Sequence, residues 1–229
     1  MVEADKNLGG TILDRGIYIS RAIKEHLGNT AVYQRLTKRQ AYGRNNILRD
    51  RMGIFVSKYR TQLSPAETDY LYESMLRFPD KLARFRMSLK AHKNPWKMRP
   101  IVCCAGTFIN CLSKWLDYWL QQLKPLLTCY IKNSSQLLDN LSDLGTLPSN
   151  ARLFTADAVS MYTNINTDHA IKVISDWLHS LDAQLPEKFP TNAVKEAMSL
   201  VMKNNIFEFG NLHFLQLTGT AMGTSTSCM

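Results

Sequence analysis

The chain has 229 residues and a formal net charge of +9, with 45% hydrophobic and 10% aromatic residues. This composition excludes a disordered chain and favours a globular protein of one or two domains. No run of about 18 apolar residues is present, so we expect no membrane-spanning helix and no membrane partner. The first ten residues carry two acids and no apolar stretch. We therefore expect no signal peptide and a nuclear or cytoplasmic protein that is not secreted.

The charge is distributed unevenly between the two halves. Residues 1–100 hold 20 Lys and Arg against 9 Asp and Glu, a net charge of +11, whereas residues 101–229 hold 8 against 10, a net charge of −2. A basic surface confined to one half is typical of proteins that bind nucleic acid or another polyanion. The alternative is a set of solvated helix faces that are basic by chance.

The cysteines do not indicate a metal or disulfide framework. The sequence contains no CxxC pair, and no second pair or His partner at zinc-ligand spacing. We expect reduced, mostly buried thiols at all five positions, which are Cys103, Cys104, Cys111, Cys129 and Cys228.

The N-terminal part is predicted to contain a strand and several helices. Thr11–Ile19 is rich in β-branched residues and is predicted to form a strand, and Ser20 is predicted to cap a short helix that ends before Gly28. Gln34–Arg60 is strongly basic, and its apolar positions indicate a partly amphipathic helix. Ser64-Pro65-Ala66-Glu67 combines an N-cap, a first-turn proline and a capping box, which predicts a helix to about residue 76.

A strand pair and two helices are predicted next. Arg84–Ala91 and Met98–Cys104 are predicted to form strands joined by a basic turn. Thr107 can cap a helix that reaches Leu123, and Ser134–Leu144 is another helix candidate. Leu153–Ala158 is an apolar run of strand length that contains an acid.

The C-terminal elements complete a helix-rich α+β fold. Helices are predicted from Thr167 to about residue 181 and from Thr191 to about residue 203, with a loop at Leu185–Pro190 between them. Ile206–Phe209 and Leu212–Leu217 are predicted to form a hairpin across Gly210-Asn211. Strands and helices are interspersed without an internal repeat or an evident linker.

Three features could carry chemistry. Asp157 lies at the end of the predicted strand, where a carboxylate could hold a divalent cation, although a turn cap is the commoner role. Lys90–Ile101 concentrates four cations and could neutralise a triphosphate, with Arg99 suited to bidentate phosphate binding; a solvated hairpin tip is the alternative. Gly219–Ser225 is rich in glycine and hydroxyl residues and could cradle a phosphate or a base pair, or be a plain turn. Tyr162 could equally be a core aromatic residue.

Four sequence blocks, in order, resemble a reverse transcriptase, most closely that of the Penelope-like retroelement group. Glu3–Gly9 (EADKNLG) resembles the opening fingers strand, and Lys90–Ile101 (KAHKNPWKMRPI) resembles the K-x-H-K…R-P-I block. Asp157–Ile165 (DAVSMYTNI) resembles the first catalytic-aspartate motif. Phe214–Gly223 (FLQLTGTAMG) resembles the loop that grips the template.

The resemblance implies a right-hand polymerase fold and an RNA-directed DNA polymerase. The fingers would take residues 1–104 with a helical insertion at about 168–205, and a partial palm would take 105–167 and 206–229, with no thumb. In the family reaction, the 3′-hydroxyl of a DNA primer on an RNA template attacks the α-phosphate of a deoxynucleotide, assisted by two Mg²⁺ ions.

The resemblance also implies roles for individual residues. Asp157 would be the first metal-binding aspartate, assisted by the Ala158 carbonyl, and Tyr162 would exclude a 2′-hydroxyl. The fingers cations that bind the triphosphate would be Lys90, Lys93 and Arg99. The loop residues that lie against the base pair would be Met222 and Gly223, and Lys6 would be a further basic residue of the fingers strand.

The sequence also departs from the family pattern. No Asp-Asp pair occurs, so the Tyr-x-Asp-Asp hairpin is missing, and the chain stops at Met229 just after the template-grip loop. Ser225–Cys228 differs from the usual Ser-Pro. We therefore expect negligible polymerase activity from the chain alone, and low solubility or self-association. The alternatives are a polymerase remnant that binds nucleic acid without chemistry and an unrelated interaction domain with accidental matches.

Overall fold

The computed structural model describes residues 2–5 and 9–225, which form an α+β fold in which helices take about half of the residues. A five-stranded mixed sheet is formed by β3 (Tyr33–Leu36), β4 (Ala83–Lys90), β5 (Lys97–Cys103), β6 (Ile206–Phe209) and β7 (Leu212–Gln216). The strand order is β3-β7-β6-β4-β5, and β4 pairs with β6 in parallel while the other pairs are antiparallel. The predicted strand pair and the predicted C-terminal hairpin are both confirmed.

The N-terminal ribbon and helix differ from prediction. A two-stranded ribbon joins β1 (Val2–Glu3) to β2 (Gly10–Thr11), and the predicted strand at 11–19 is wrong beyond its first residue. Helix α1 (Arg15–Arg21) forms there because the Asp14 carboxylate accepts a hydrogen bond from the Ile17 N–H at 2.9 Å. A π-helical segment, Ala22–Leu27, continues it to Gly28, so the predicted N-cap at residue 20 lies inside a helix.

Helices α2 (Lys38–Lys58) and α3 (Pro65–Arg77) begin at capping boxes. Thr37 and Gln40 cap α2 reciprocally, and Ser64 and Glu67 cap α3 as predicted. Basic residues lie on the exposed face of α2, whereas its buried face joins a helical core. The largest fully buried side chains of that core are Phe55, Phe108, Met52, Leu71, Leu112, Leu116, Leu123 and Leu178.

Glu67 also joins α3 to α4 (Phe108–Gln121). Its Oε1 accepts hydrogen bonds from Nε1 of Trp115 at 2.7 Å and of Trp119 at 2.8 Å. Its Oε2 accepts hydrogen bonds from the Ser64 hydroxyl at 2.7 Å and the Ser64 N–H at 2.8 Å. One half-buried carboxylate therefore serves both as a helix cap and as the partner of two indoles. Thr107 caps α4 as predicted.

The sheet has its own core on the face toward α1. Phe207 is fully buried and stacks between Phe85 and Phe214, with ring centroids 5.7 Å apart in both pairs. The Tyr33 ring meets it edge-on at 5.8 Å. Tyr18 of α1 links the helix to this sheet, because its hydroxyl oxygen accepts a hydrogen bond from the Met87 N–H of β4 at 2.7 Å.

Three of the remaining helices occur where they are predicted, with small differences at their ends. They are α5 (Ser134–Asp143), α7 (Thr167–Ser180) and α8 (Thr191–Lys203), whereas the short helix α6 (Met161–Asn164) was not predicted. Asn166 rather than Thr167 caps α7, because its side-chain oxygen accepts from the His169 N–H at 2.9 Å. Pro190 precedes α8 without a side-chain cap. Short 3₁₀ turns lie at Lys124–Leu126 and Asp182–Gln184.

Residues 127–161, called here the exposed segment, contain no buried residue. The prediction of a strand at 153–158 is wrong: these residues are irregular, and Leu153 and Phe154 are 84% and 90% exposed. The β-propensity of an apolar run is realised only where a neighbouring strand pairs with it. In the described structure, this run joins neither edge of the sheet.

Four cysteines are described, and all are free thiols, as predicted. Only Cys104 is buried; Cys103 and Cys111 are half-buried and Cys129 is exposed, so the prediction that most are buried is wrong. Burial raises the pKa of the Cys104 thiol to about 12, with a smaller contribution from Cys103. Cys228 lies outside the described residues. Among the described helices, none is long and apolar enough to cross a membrane.

Candidate functional site

One face of the β4–β5 hairpin is strongly basic. Residues paired directly across two strands lie on the same face of the sheet. One face of the hairpin carries the pairs Lys90–Lys97, Ser88–Arg99, Arg86–Ile101 and Arg84–Cys103. The pairs between them place their β4 residues in the sheet core on the other face. We call the first face the cationic face; its five cations are Arg84, Arg86, Lys90, Lys97 and Arg99. Like charges directly opposite each other, as at Lys90 and Lys97, destabilise a sheet. This arrangement suits a surface that receives an anion.

Arg99 has an acidic partner from the N-terminal ribbon. Its Nη1 lies 3.0 Å from Oδ1 of Asp5, whose side chain is only 10% exposed, whereas the Arg99 side chain is 37% exposed. Burial lowers the pKa of the nearby Lys90 ammonium, and Arg99, Lys93 and Lys97 lower it further, while Asp5 opposes the shift. The structure thus places all three predicted triphosphate ligands, Lys90, Lys93 and Arg99, in one electrostatic cluster. Lys93 lies in the exposed turn.

The turn of the hairpin is held by an interaction that sequence reasoning missed. The Arg21 guanidinium stacks on Trp96, with Cζ 3.4 Å from the ring centroid, and its Nη1 donates to the Trp96 carbonyl at 3.2 Å. Glu25 pairs with the same guanidinium at 3.3 Å. No local sequence signal indicates the stacking, because the two residues lie far apart in the chain.

The glycine-rich loop runs along the outer edge of β5. The Val102 N–H donates to the Met222 carbonyl at 2.8 Å, and Gly223 has a φ of +123°. A Cβ on Gly223 would lie 2.4 Å from the Val102 oxygen and 3.6 Å from Cγ2 of Ile101, which belongs to the cationic face. Met222 and Gly223 therefore lie within three residues of Arg99 along the strand, or about 10 Å.

The same loop anchors Tyr162. The Thr220 N–H donates to the Tyr162 carbonyl at 2.8 Å, and a Cβ on Gly219, whose φ is +87°, would lie only 2.1 Å from that oxygen. Glycine is required here both by the backbone conformation and by this close approach. Tyr162 and Met222 line a small cleft. The other residues that line it are Tyr33, Pro100, Val102, Thr163, Gln216 and Thr220.

Asp157 and Ala158 are placed differently. Both are exposed residues of the irregular part of the exposed segment, and no hydrogen bond or ion pair is described for Asp157. No group of three His, Cys, Asp or Glu in the described part of the chain could hold a metal ion. A magnesium ion usually needs several oxygen ligands in an octahedral arrangement. The described residues around Asp157 therefore do not fit the expected Mg²⁺ ions by themselves.

The predicted site residues thus divide into two groups. The β4–β5 hairpin and the loop beside it bring together Lys90, Lys93, Arg99, Tyr162, Met222 and Gly223, whereas Asp157 and Ala158 lie outside this cluster. Lys6 lies outside the described residues, as do Thr226–Cys228. Comparison with protein-family models, with curated proteins and with solved structures gives no match to this chain.

Proposed function

We propose that this chain is the fingers and part of the palm of a reverse transcriptase domain with a right-hand polymerase architecture, related to the Penelope-like retroelement group. Its function in a complete enzyme would be DNA synthesis from an RNA template and a DNA primer. The observation that carries the proposal is the convergence on β5 of three motifs that are distant in sequence. These are the cationic hairpin, Tyr162 and the Met222-Gly223 loop.

In this proposal the cationic face binds the triphosphate of the incoming deoxynucleotide. Lys90 and Arg99 supply one ammonium and one guanidinium, and Lys93 lies in the exposed turn beside them. Arg99 suits a phosphate because its planar fork can donate two parallel hydrogen bonds. The Met222-Gly223 pair, whose backbone packs against Val102 of β5, would lie against the base pair.

Chemistry would need more than these residues provide. Two Mg²⁺ ions supply charge stabilisation and orient the reacting oxygens in the family reaction, and Asp157 with the Ala158 carbonyl would contribute ligands to them. Because no group of three His, Cys, Asp or Glu residues in the described part of the chain could hold a metal ion, we propose that the chain alone has negligible polymerase activity. A primer-extension assay that detects DNA synthesis dependent on Asp157 would contradict this.

Nucleotide binding is the direct test of the proposed site. We expect Arg99→Ala and Lys90→Ala each to weaken the binding of a deoxynucleoside triphosphate by about tenfold, since each removes a charge-assisted hydrogen bond. The matched controls are Arg152→Ala and Lys132→Ala, which remove the same charges from the exposed segment. Isothermal titration calorimetry of the five proteins compares them. Equal losses in the hairpin variants and the controls would contradict a specific site.

A non-catalytic polymerase remnant that binds nucleic acid is the second candidate. The net charge of +11 on residues 1–100 and the isolated position of Asp157 favour it. Affinity for an RNA–DNA hybrid should then fall by orders of magnitude between about 50 and 200 mM salt, because phosphate neutralisation releases counterions. A flat salt response would contradict this candidate. Binding without any Asp157-dependent synthesis, even with a polypeptide that carries the family's Tyr-x-Asp-Asp hairpin supplied in trans, would favour it over the polymerase fragment.

A further inference from the structure

Asp5 lies at the end of the hairpin that carries the proposed nucleotide site. Ala4 forms a parallel bridge with Leu89, the residue before Lys90, so the ribbon strand runs beside β4 and brings Asp5 level with the last residue of that strand. Lys90 is paired with Lys97 across the hairpin. A residue from the N-terminal ribbon is therefore inserted where the basic side chains of two strands meet.

The ion pair between Asp5 and Arg99 is asymmetric. The carboxylate is almost fully removed from solvent, whereas more than a third of the Arg99 side chain remains exposed on the cationic face. The contact is made by Nη1 of the guanidinium, which lies 3.0 Å from Oδ1. The second carboxylate oxygen is buried and has no hydrogen-bond partner among the described residues. Such an arrangement holds one terminal nitrogen of the guanidinium in place and leaves the other N–H donors to bind an anion on the exposed side.

The cations around Asp5 repel one another. Burial lowers the pKa of the Lys90 ammonium, as do Arg99, Lys93 and Lys97, and Asp5 is the acid that opposes them. A single carboxylate thus lies among four neighbouring cations and offsets only part of their charge. Buried polar atoms that lack a partner are rare, and where they occur they often belong to functional sites.

We propose that Asp5 is a positioning residue that orients the Arg99 guanidinium for the phosphates of the incoming nucleotide. This inference is based on the nucleotide site proposed above. A pre-oriented fork loses less conformational freedom on binding than a mobile arginine, and the difference appears as affinity. Asp5 itself does not contact the nucleotide.

Asp5→Asn separates positioning from simple electrostatics by the sign of its effect. Neutralising a carboxylate among cations should strengthen the binding of any polyanion. Releasing Arg99 should weaken the binding of a phosphate that needs the oriented fork. We therefore expect Asp5→Asn to bind a deoxynucleoside triphosphate about five- to tenfold more weakly than the unmodified chain, measured by isothermal titration calorimetry at about 0.1 M salt.

Glu208→Gln is the matched control. Glu208 pairs with Arg84 of the same cationic face, at 3.1 Å, and its neutralisation changes the net charge by the same amount. We expect it to leave the affinity unchanged or slightly higher. Asp5→Asn binding as tightly as Glu208→Gln, or more tightly, would overturn the inference.

A second variant covers the case in which Asp5→Asn disturbs folding, which circular dichroism would reveal. Arg99→Lys keeps the charge and Asp5 but removes the planar fork, and it should lose the same factor in affinity; unchanged affinity would overturn the inference. In the double variant, the two losses should not add, because both act on one contact. If Arg99→Ala has no effect, the proposed nucleotide site and this inference both fail. If Arg99→Ala weakens binding but Asp5→Asn does not, only this inference fails.

Discussion

The predicted site residues lie in two regions, the hairpin edge at β5 and the exposed segment, and these regions differ in how closely their residues are packed. At β5, Gly219 and Gly223 bring the loop backbone against Tyr162 and Val102, and Asp5 reaches in from the ribbon. In the exposed segment, no residue from 127 to 161 is buried, although several are leucines. The difference shows that apolar residues, or residues that belong to a motif, are buried only where other elements pack against them.

The largest expected effect comes from comparing one phenylalanine in each region. Phe207→Ala should lower the free energy of unfolding by about 3–5 kcal/mol, because it removes a fully buried ring that stacks between two others. Phe154→Ala, at a ring that is 90% exposed, should change it by less than about 0.5 kcal/mol. Urea denaturation followed by circular dichroism measures both. A loss above about 1 kcal/mol for Phe154→Ala would mean that the exposed segment is packed in solution.

The glycine of the loop tests the β5 side directly. Gly219→Ala places a Cβ 2.1 Å from the Tyr162 carbonyl oxygen at a φ of +87°, and should cost about 2–3 kcal/mol. Gly53→Ala in α2 is the control, since a Cβ there meets nothing within 4 Å. It should stabilise the chain by about 0.5–1 kcal/mol because alanine is the better helix former. Equal effects in thermal unfolding would show that the loop does not need this close approach.

Glu67 provides a pH-dependent test of the helical core. Burial raises the pKa of its carboxyl, but hydrogen bonds from Ser64, Trp115 and Trp119 outweigh burial and lower it below the usual 4.5. The resulting stabilisation is present above about pH 4.5 and is lost as the pH falls through the lowered pKa. Glu67→Gln should cost about 1–2 kcal/mol at pH 7 and remove this dependence.

Glu187→Gln, in an exposed loop, is the matched control for Glu67 and should leave both the stability and its acid dependence unchanged. The two variants are compared by urea unfolding at a series of pH values from 7 to 3. An acid transition that persists unaltered in Glu67→Gln would assign the pH dependence to other carboxylates.

The smallest expected effect concerns Asp157. Asp157→Ala should leave the free energy of unfolding within about 0.5 kcal/mol, because the side chain is exposed and no described hydrogen bond involves it. Asp14→Ala should cost about 1 kcal/mol, because Asp14 caps α1. Similar losses in chemical denaturation would mean that Asp157 acts as a turn cap, the commoner role of such a residue.

Local signals predicted the fold well where the stabilising contacts are themselves local. The capping box at Ser64 and Glu67 and the turn at Gly210-Asn211 both mark elements that the structure contains. The strand predicted at 153–158 is wrong because an apolar run forms a strand only where it pairs with a neighbouring strand, and this run pairs with none in the described structure. The strand predicted at 11–19 is wrong because a side-chain cap at Asp14 outweighs β-branched composition.

The candidate site was predictable in its parts and not in its assembly. Lys90, Arg99, Tyr162 and Gly223 are visible as motif residues in the sequence, and the hairpin register follows from the period-two alternation. The pairing of Arg99 with Asp5 depends on where the ribbon crosses β4, which is a long-range contact without a local signal.

The four tryptophans of this molecule lie in two separate cores, so their fluorescence can be assigned to one core or the other. Trp115 and Trp119 share the Glu67 carboxylate, and Trp177 packs against the same helical core, whereas Trp96 lies against the sheet core beneath Arg21. Replacing Trp96 would leave an emission spectrum that reports only the helices. Keeping Trp96 as the sole indole would give a fluorophore at the tip of the basic hairpin, whose intensity could follow the arrival of a nucleotide.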